Sequence, residues 1–302
     1  MLSFLPANVR AVITFTIMLL NTVAMCTPLF IITFAQVLLP IAAWQRLTAR
    51  WLVRIAETWV VINNFAISLP NKVIWDVQGT DNLNYSGWYL VTCNHQSWVD
   101  ILVLQKMFTR KAPFLKFFLK KELIWVPILG IAWWALDFPF MKRYTKEFLR
   151  KNPHMKGKDL ETTQKACEKF KLIPVSVMNF LEGTRFTQAK HDRQQSPYEH
   201  LLKPKSGGIA FVLAAMGGQL HSMLDVTIVY DLETVGFWDL MKGKVSKVSV
   251  RVTERHIPDE FATGDYENDE AFRSRFQSWV NNVWEEKDQL MGELKKEIST
   301  SA

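Results

Sequence analysis

The chain has 302 residues, 49% of them apolar and 22% charged, a balance that excludes disorder and collagen-like repeats and allows either two domains or one large α/β domain. Three cysteines, Cys26, Cys93 and Cys167, are too few and too dispersed for a disulfide framework, and no CxxC pair occurs. With 36 Lys and Arg against 29 Asp and Glu the net charge is +7, which favours an anionic partner: nucleic acid, acidic lipid or a phosphorylated substrate.

Between Arg10 and Arg46 there is no charged residue, and most positions are apolar. A signal peptide has a shorter apolar core and a small-residue cleavage site, so cleavage is not expected. As one helix this stretch is roughly 50 Å long at about 1.5 Å per residue, against a hydrocarbon core of about 30 Å. Pro28 sits near its middle and predicts a break, giving two helices over 10–27 and 29–45. Arg10 at one end and Arg46, Arg50 and Arg54 at the other suit two ends on the same, cytoplasmic side. The reading is a membrane hairpin over 1–50 followed by a cytosolic domain over 51–302. A single tilted span is the second reading, and a buried hairpin of a soluble protein the third.

After Pro70 the pattern becomes α/β. Residues 72–79 and 87–94 read as strands, the first alternating and the second almost continuously apolar. A helix is predicted over 97–108 and another over 112–125. The very apolar run 123–140, with Trp125, Trp133 and Trp134, suits an acyl groove, the membrane interface or plain core. An amphipathic helix over 160–171 precedes a strand over 172–180. Residues 186–204 are polar and read as a loop or partly ordered excursion, and 205–218 as a small-residue helix ended by glycines. Strands follow over 223–230 and 247–254, the last half-exposed with Val248, Val250 and Val252 on one face. A C-terminal helix, single or broken, takes 270–298. Alternating strands and helices predict a mostly parallel or mixed sheet covered by helices.

Two strand ends carry the chemistry. Asn94-His95-Gln96-Ser97-Trp98-Val99-Asp100 follows the strand at 87–94. A histidine leaving a strand is held by a rigid element, and Asp100 in the next turn is placed to fix its tautomer, leaving the other ring nitrogen to take a proton from a hydroxyl. The competing reading is purely local, because Ser97-x-x-Asp100 also has capping-box spacing. Cys93 beside His95 raises a Cys–His nucleophilic pair, but its strand position reads as core. The second motif, Phe180-Leu181-Glu182-Gly183-Thr184-Arg185, follows the strand at 172–180. Gly183 admits a phosphate to the backbone, Thr184 offers a hydroxyl and Arg185 a planar fork for phosphate oxygens. Glu182 is read as orienting Arg185 or binding a substrate hydroxyl; a tight turn with a local Glu–Arg pair is the alternative. Arg110, Lys111, Lys116, Lys120 and Lys121 form a basic cluster suited to lipid phosphates, to a phosphorylated substrate or simply to solvent. No RNA-binding signature accompanies the charge, so nucleic acid is not expected as a partner. Neither HExxH nor CxxC occurs, so no metal is expected.

Together the NHxxxxD and F-x-EGTR blocks resemble the glycerolipid acyltransferase family, the 1-acylglycerol-3-phosphate acyltransferases and their lysophospholipid relatives, with most likeness to the branch of bacterial inner-membrane proteins and lysocardiolipin-type enzymes. Residues 137–143, ending in Arg143, look like the family's second block, whose arginine contacts substrate phosphate. Residues 224–230 look like its fourth, a strand beside the site. The likeness covers about 72–253. Two departures stand out: Leu181 replaces a proline common before EGTR, and a glycine usual in the second block is absent around Asp137 and Phe138. The resemblance implies that His95, oriented by Asp100, deprotonates a glycerol hydroxyl for attack on the thioester of acyl-CoA or acyl-carrier protein, without an acyl-enzyme. It implies no cofactor beyond that co-substrate. Arg143, Glu182, Gly183, Thr184 and Arg185 would bind the acceptor, a membrane lysophospholipid, most simply 1-acylglycerol-3-phosphate. The catalytic domain would face the cytoplasm from the inner membrane. A lipid hydrolase or transacylase would be expected to carry a GxSxG nucleophile, which is missing. A lipid-binding scaffold would have no use for both blocks.

Overall fold

The computed structural model describes residues 2–39, 41–141, 150–152, 158–170, 173–216 and 218–301. Arg143 lies outside them. Two long antiparallel helices, α1 (Ala7–Leu38) and α2 (Ala42–Ser68), open the chain. The break expected at Pro28 does not occur: α1 runs through it for 32 residues. The Thr27 hydroxyl donates to the Val23 carbonyl at 2.9 Å, close to the carbonyl that Pro28 leaves without its helical donor. The helix ends instead at Leu39, the residue before Pro40, with φ −122° and ψ 79°, away from the α region that a following proline disfavours. α2 passes without interruption through residue 50.

The seam of this pair is polar. Asn21 Nδ2 donates to Asn63 Oδ1 at 2.8 Å and to the Trp59 carbonyl at 2.9 Å, and Trp59 Nε1 donates to Thr22 Oγ1 at 3.0 Å. The outer face of α1 is apolar and exposed along Val12, Phe15, Leu19, Leu20, Ile31 and Phe34. Apolar outside and hydrogen-bonded inside is the arrangement of helices that pack in lipid, where apolar burial gives no drive to associate. The ends of the hairpin lie together: the Leu2 amide donates to the Leu69 carbonyl at 2.8 Å.

The rest is a three-layer α/β unit. Its six-stranded sheet has the order β1-β8-β7-β2-β6-β3, with β1 Ile74–Gln78, β2 Trp88–Cys93, β3 Leu115–Phe117, β6 Val175–Phe180, β7 Ser222–Tyr230 and β8 Lys247–His256. β7, β2, β6 and β3 are mutually parallel, and β8 turns antiparallel to β7. The mixed sheet is as expected from the alternating pattern. On one face α1, α2 and α3 (Val99–Phe108) bury Leu29, Leu52, Val103 and Leu104 against Val91, Leu224 and Val226. On the other, α5 (Lys158–Phe170), α7 (Gly207–Met216) and α10 (Glu270–Ser301) bury Phe170, Val212 and Trp284 against Leu90, Val177 and Met223. β2 is covered on both sides, which is why it reads as a near-continuous apolar run.

One further expectation needs correction. Residues 112–125 are not a helix: β3 pairs with β6, β4 (Leu119–Lys120) pairs with β5 (Phe140–Met141), and a 3-10 turn takes Lys121–Trp125. Pairing with a neighbouring strand outweighs helical spacing here. A short helix α4 (Leu129–Ala135) follows. Within the polar stretch 186–204, α6 (Gln188–Gln194) forms behind a Thr187 N-cap. β8 is half-exposed as expected: Val248, Val250 and Val252 share a buried face, while Thr253, Glu254 and His256 are exposed. Two short helices, α8 (Phe237–Met241) and α9 (Glu260–Thr263), complete the fold, with α10 unbroken over 32 residues.

Candidate active site

Three adjacent parallel strands, β6, β2 and β7, end on the same edge, where open α/β sheets place their ligand crevices. β2 delivers His95. Just before it, Asn94 locks β2 to β7 by donating from Nδ2 to the Ile228 carbonyl and accepting from the Ile228 amide, both at 2.9 Å. His95 is therefore carried by a sheet rather than a loop. Its ring lies flat on Phe180 of β6, with centroids 3.9 Å apart.

His95 Nδ1 and Asp100 Oδ2 are 2.9 Å apart, and the Asp100 side chain is wholly buried while that of His95 is 14% exposed. The same carboxylate oxygen accepts from the Gln96 and Ser97 amides at 2.7 and 2.8 Å. The local-cap and histidine-orienting readings of Asp100 are thus one arrangement: the amides hold the carboxylate where the ring needs it. Asp100 Oδ1 accepts from the Tyr230 hydroxyl at 2.7 Å. Burial and the adjacent carboxylate push that phenol well above its ordinary range, so it stays a donor. With Nδ1 bound to a carboxylate, Nε2 is the nitrogen left to receive a proton.

The turn after β6 brings Glu182, Gly183, Thr184 and Arg185 alongside. Gly183 has φ 67°, and its amide donates to the Phe180 carbonyl at 2.9 Å, closing the turn. The exposed Arg185 guanidinium lies 5.3 Å from the Trp98 ring centre, stacked at the mouth. Lys190 Nζ donates to Thr184 Oγ1 at 2.9 Å and to the Arg185 carbonyl at 2.7 Å. A Cβ at Gly183 would lie 3.0 Å from the Lys205 side chain. Arg185, Lys190 and Lys205 therefore give the turn a concentrated positive charge, suited to an anionic group.

Glu182 differs from expectation. It is fully buried and reaches neither Arg185 nor the mouth: its carboxylate accepts from the His95 amide at 2.6 Å and the Leu202 amide at 3.1 Å. Burial pushes this carboxyl up to about 8, against the pull of those two amides. It ties β6 to the backbone of the histidine. Cys93 is also wholly buried, and burial raises its thiol well above the usual range, which leaves it protonated and without nucleophilic character.

Tyr230, Asn94, Lys190 and Lys205 were not singled out from the sequence. Tyr230 ends a strand remote in sequence, so only the β2–β7 pairing reveals it. Lys190 sits where the polar pattern suggested a loop. Behind the sheet, Lys287 of α10 is buried with its ammonium 2.7 Å from Asp225 Oδ1 and donates to the Val226 carbonyl at 2.5 Å.

A strand-borne histidine–carboxylate pair beside a basic turn places a proton acceptor next to a turn suited to an anionic group. A family model described as Acyltransferase matches residues 75–231, just over half of the chain, and the chain belongs to that family. It is 25% identical over 214 residues to the 1-acyl-sn-glycerol-3-phosphate acyltransferase gamma of Mus musculus, covering 67% of this chain and 52% of that one. The delta enzyme of the same species is 24% identical over 217 residues, covering 68% and 52%. The chain thus spans about half the length of the curated relatives it matches. The fold is shared with the crystal structure of the 1-acyl-sn-glycerophosphate (LPA) acyltransferase, PlsC, from Thermotoga maritima: TM-score 0.56, 18% identity, 96% of this chain and 98% of the other.

Proposed function

We propose that the protein moves a fatty acyl group from acyl-CoA or acyl-carrier protein to the free hydroxyl of a membrane lysophospholipid, with 1-acylglycerol-3-phosphate the leading acceptor and phosphatidic acid the product. The observation that carries the reading is the His95–Asp100 contact at 2.9 Å on the sheet edge beside the Thr184–Arg185 turn. His95 Nε2 takes the acceptor's hydroxyl proton as its oxygen attacks the thioester carbonyl. Asp100 stabilises the resulting imidazolium, which returns the proton to the departing thiolate. The acceptor's phosphate rests on Thr184 and Arg185 with Lys190 and Lys205 behind them. Arg143 is proposed as a second phosphate contact on the resemblance alone.

A cavity of about 740 Å³ between the hairpin and residues 134–139, lined by Val37, Leu52, Val53, Leu136 and Phe138, has room for an acyl chain. Phe138 of its wall belongs to a row of packed rings that runs back to the histidine: Phe138 to Phe117 at 6.4 Å, Phe117 to Phe180 at 6.3 Å and Phe180 to His95 at 3.9 Å. α1 is long and apolar enough to cross a membrane by length and composition. With both hairpin ends joined at Leu2 and Leu69, we place it re-entrant in the cytoplasmic membrane, with the sheet in the cytoplasm. The deciding experiment supplies purified full chain with acyl-CoA or acyl-carrier protein and a panel of lysophospholipids. Thiol release that depends on a lysophospholipid supports the reading; release without acceptor, or none with any acceptor, overturns it.

A further inference from the structure

Between β4 and β5 the chain makes an excursion with the wrong composition for a surface connection. Residues 123–136, LIWVPILGIAWWAL, are fourteen in a row without a charge, where connections are normally polar. The base is closed by pairing of Leu119 with Phe140 and of Lys120 with Met141. Inside the excursion Gly130 lets α4 lie against the 3-10 turn, since a Cβ there would meet the Ile124 carbonyl oxygen at 2.0 Å. α4 is bracketed by two left-handed residues, Ile128 at φ 65° and Asp137 at φ 56°. A β-branched residue at positive φ is strained, so the surrounding contacts impose this shape.

The imposed shape turns apolar side chains outward. Ala132 and Ala135 face the core, while Trp125 is 85%, Ile131 54% and Trp134 53% exposed. The excursion packs beside α1, where Val37 lines the same cavity as Trp134; Val37, like Ile31 and Phe34 on the same helix, is exposed. Lys120 and Lys121 stand exposed at its base. We propose that residues 123–136 form a second membrane-contact element, whose apolar tip enters the same leaflet as α1 while Lys120 and Lys121 meet anionic headgroups. A bilayer fits because the patch continues the lipid-compatible face of α1 and carries its cations at the rim, the layout of an interfacial anchor. The inference rests on the reading that the enzyme works at a bilayer.

The test uses the full chain in vesicles of phosphatidylcholine and phosphatidylglycerol, with a nitroxide at Trp125→Cys, at Ile131→Cys or, for reference, at Glu270→Cys on the far helix; the native cysteines are buried. Labels at 125 and 131 should collide with oxygen in preference to a nickel chelate, and the label at 270 the reverse. Equal nickel access at all three overturns the proposal, and so does spin–spin broadening at 125, which would mean a second copy covers the patch. The double variant Trp125→Asp, Ile131→Asp should partition into these vesicles roughly tenfold or more weakly. Its turnover of a short-chain acceptor dissolved as monomers should be unchanged; unaltered partitioning overturns the proposal. Label depth is read without turnover, so failure of the acyl-transfer reading would show separately, as no activity in the parent protein.

Discussion

Asp100 accepts from two amides and the Tyr230 hydroxyl as well as facing His95, so this carboxylate carries more hydrogen bonds than any other group at the site. His95→Ala should reduce acyl transfer by about 10²–10⁴-fold while leaving vesicle binding intact. Retention of most activity would remove His95 from the chemistry. Tyr230→Phe keeps the ring and deletes one charge-assisted hydrogen bond, so kcat should fall by about tenfold at constant KM. A loss expressed in KM alone would mean that Tyr230 shapes the acceptor pocket instead. Glu182 predicts a pH effect on stability. Its carboxyl is raised from an ordinary 4.5 to about 8, so the folded chain holds this proton more tightly than the unfolded chain. The contribution to stability is full below about pH 4.5 and is lost as pH climbs to about 8. Glu182→Gln does not titrate there, so its thermal midpoint should gain on the parent's between pH 5 and pH 8; parallel curves would refute the assignment.

At the scale of elements, the motifs at the ends of β2 and β6 were legible because the strand before each is a short apolar run and the chemistry is packed into a few consecutive residues. His95 and Asp100 are five apart, and their contact needs only one turn of chain. What escaped were relations across the sheet. The resemblance puts 224–230 beside the site, but nothing local says which of its residues meets Asp100 or Asn94, so neither the Tyr230 contact nor the Asn94–Ile228 clamp was visible. Glu182 was assigned to the wrong partners for the same reason: its acceptors' donors, the His95 and Leu202 amides, lie 87 and 20 residues away. Pro28 costs α1 one backbone hydrogen bond, and the packing of Cys26 and Leu29 into the core on either side of it keeps the helix continuous, a contact no local pattern shows. The turn after β6 carries its own prediction. Arg185→Lys keeps the charge and loses the planar fork, so KM for a phosphate-bearing acceptor should rise with little change in kcat. A fall in kcat at constant KM would move Arg185 from binding to chemistry.

On the scale of the whole molecule, the hairpin pairs an exposed apolar face with a face that belongs to the core. Its outward face is apolar, yet Ala11, Met18, Cys26 and Leu29 of α1 pack into the same cluster as the sheet. Phe15 meets Trp238 of α8 at 5.5 Å, in the connection that follows Tyr230. Deleting residues 1–38 should therefore lower the thermal midpoint and reduce turnover even of monomeric short-chain acceptors. Full activity on such acceptors, lost only on bilayers, would make the hairpin a delivery device and nothing more.

The buried Lys287–Asp225 pair sets an order in time as well as a contact. Asp225 lies on β7, two strands of hydrogen bonding from nothing: it also takes the Thr92 hydroxyl of β2 at 3.2 Å and the Arg255 guanidinium of β8 at 3.3 Å. Lys287 belongs to α10, so during synthesis the strands that carry His95 and Tyr230 exist before the ammonium that joins Arg255 on the carboxylate behind them. The same helix brings Phe276, Val280 and Trp284, which cover the far face of the sheet, so that face stays open until α10 is made. The hairpin, by contrast, is made before the sheet and has its hydrogen bonds within reach. A nascent chain can thus hold a paired hairpin well before it has a closed sheet, and synthesis stalled before α10 would leave His95 and Asp100 on a sheet with one face uncovered.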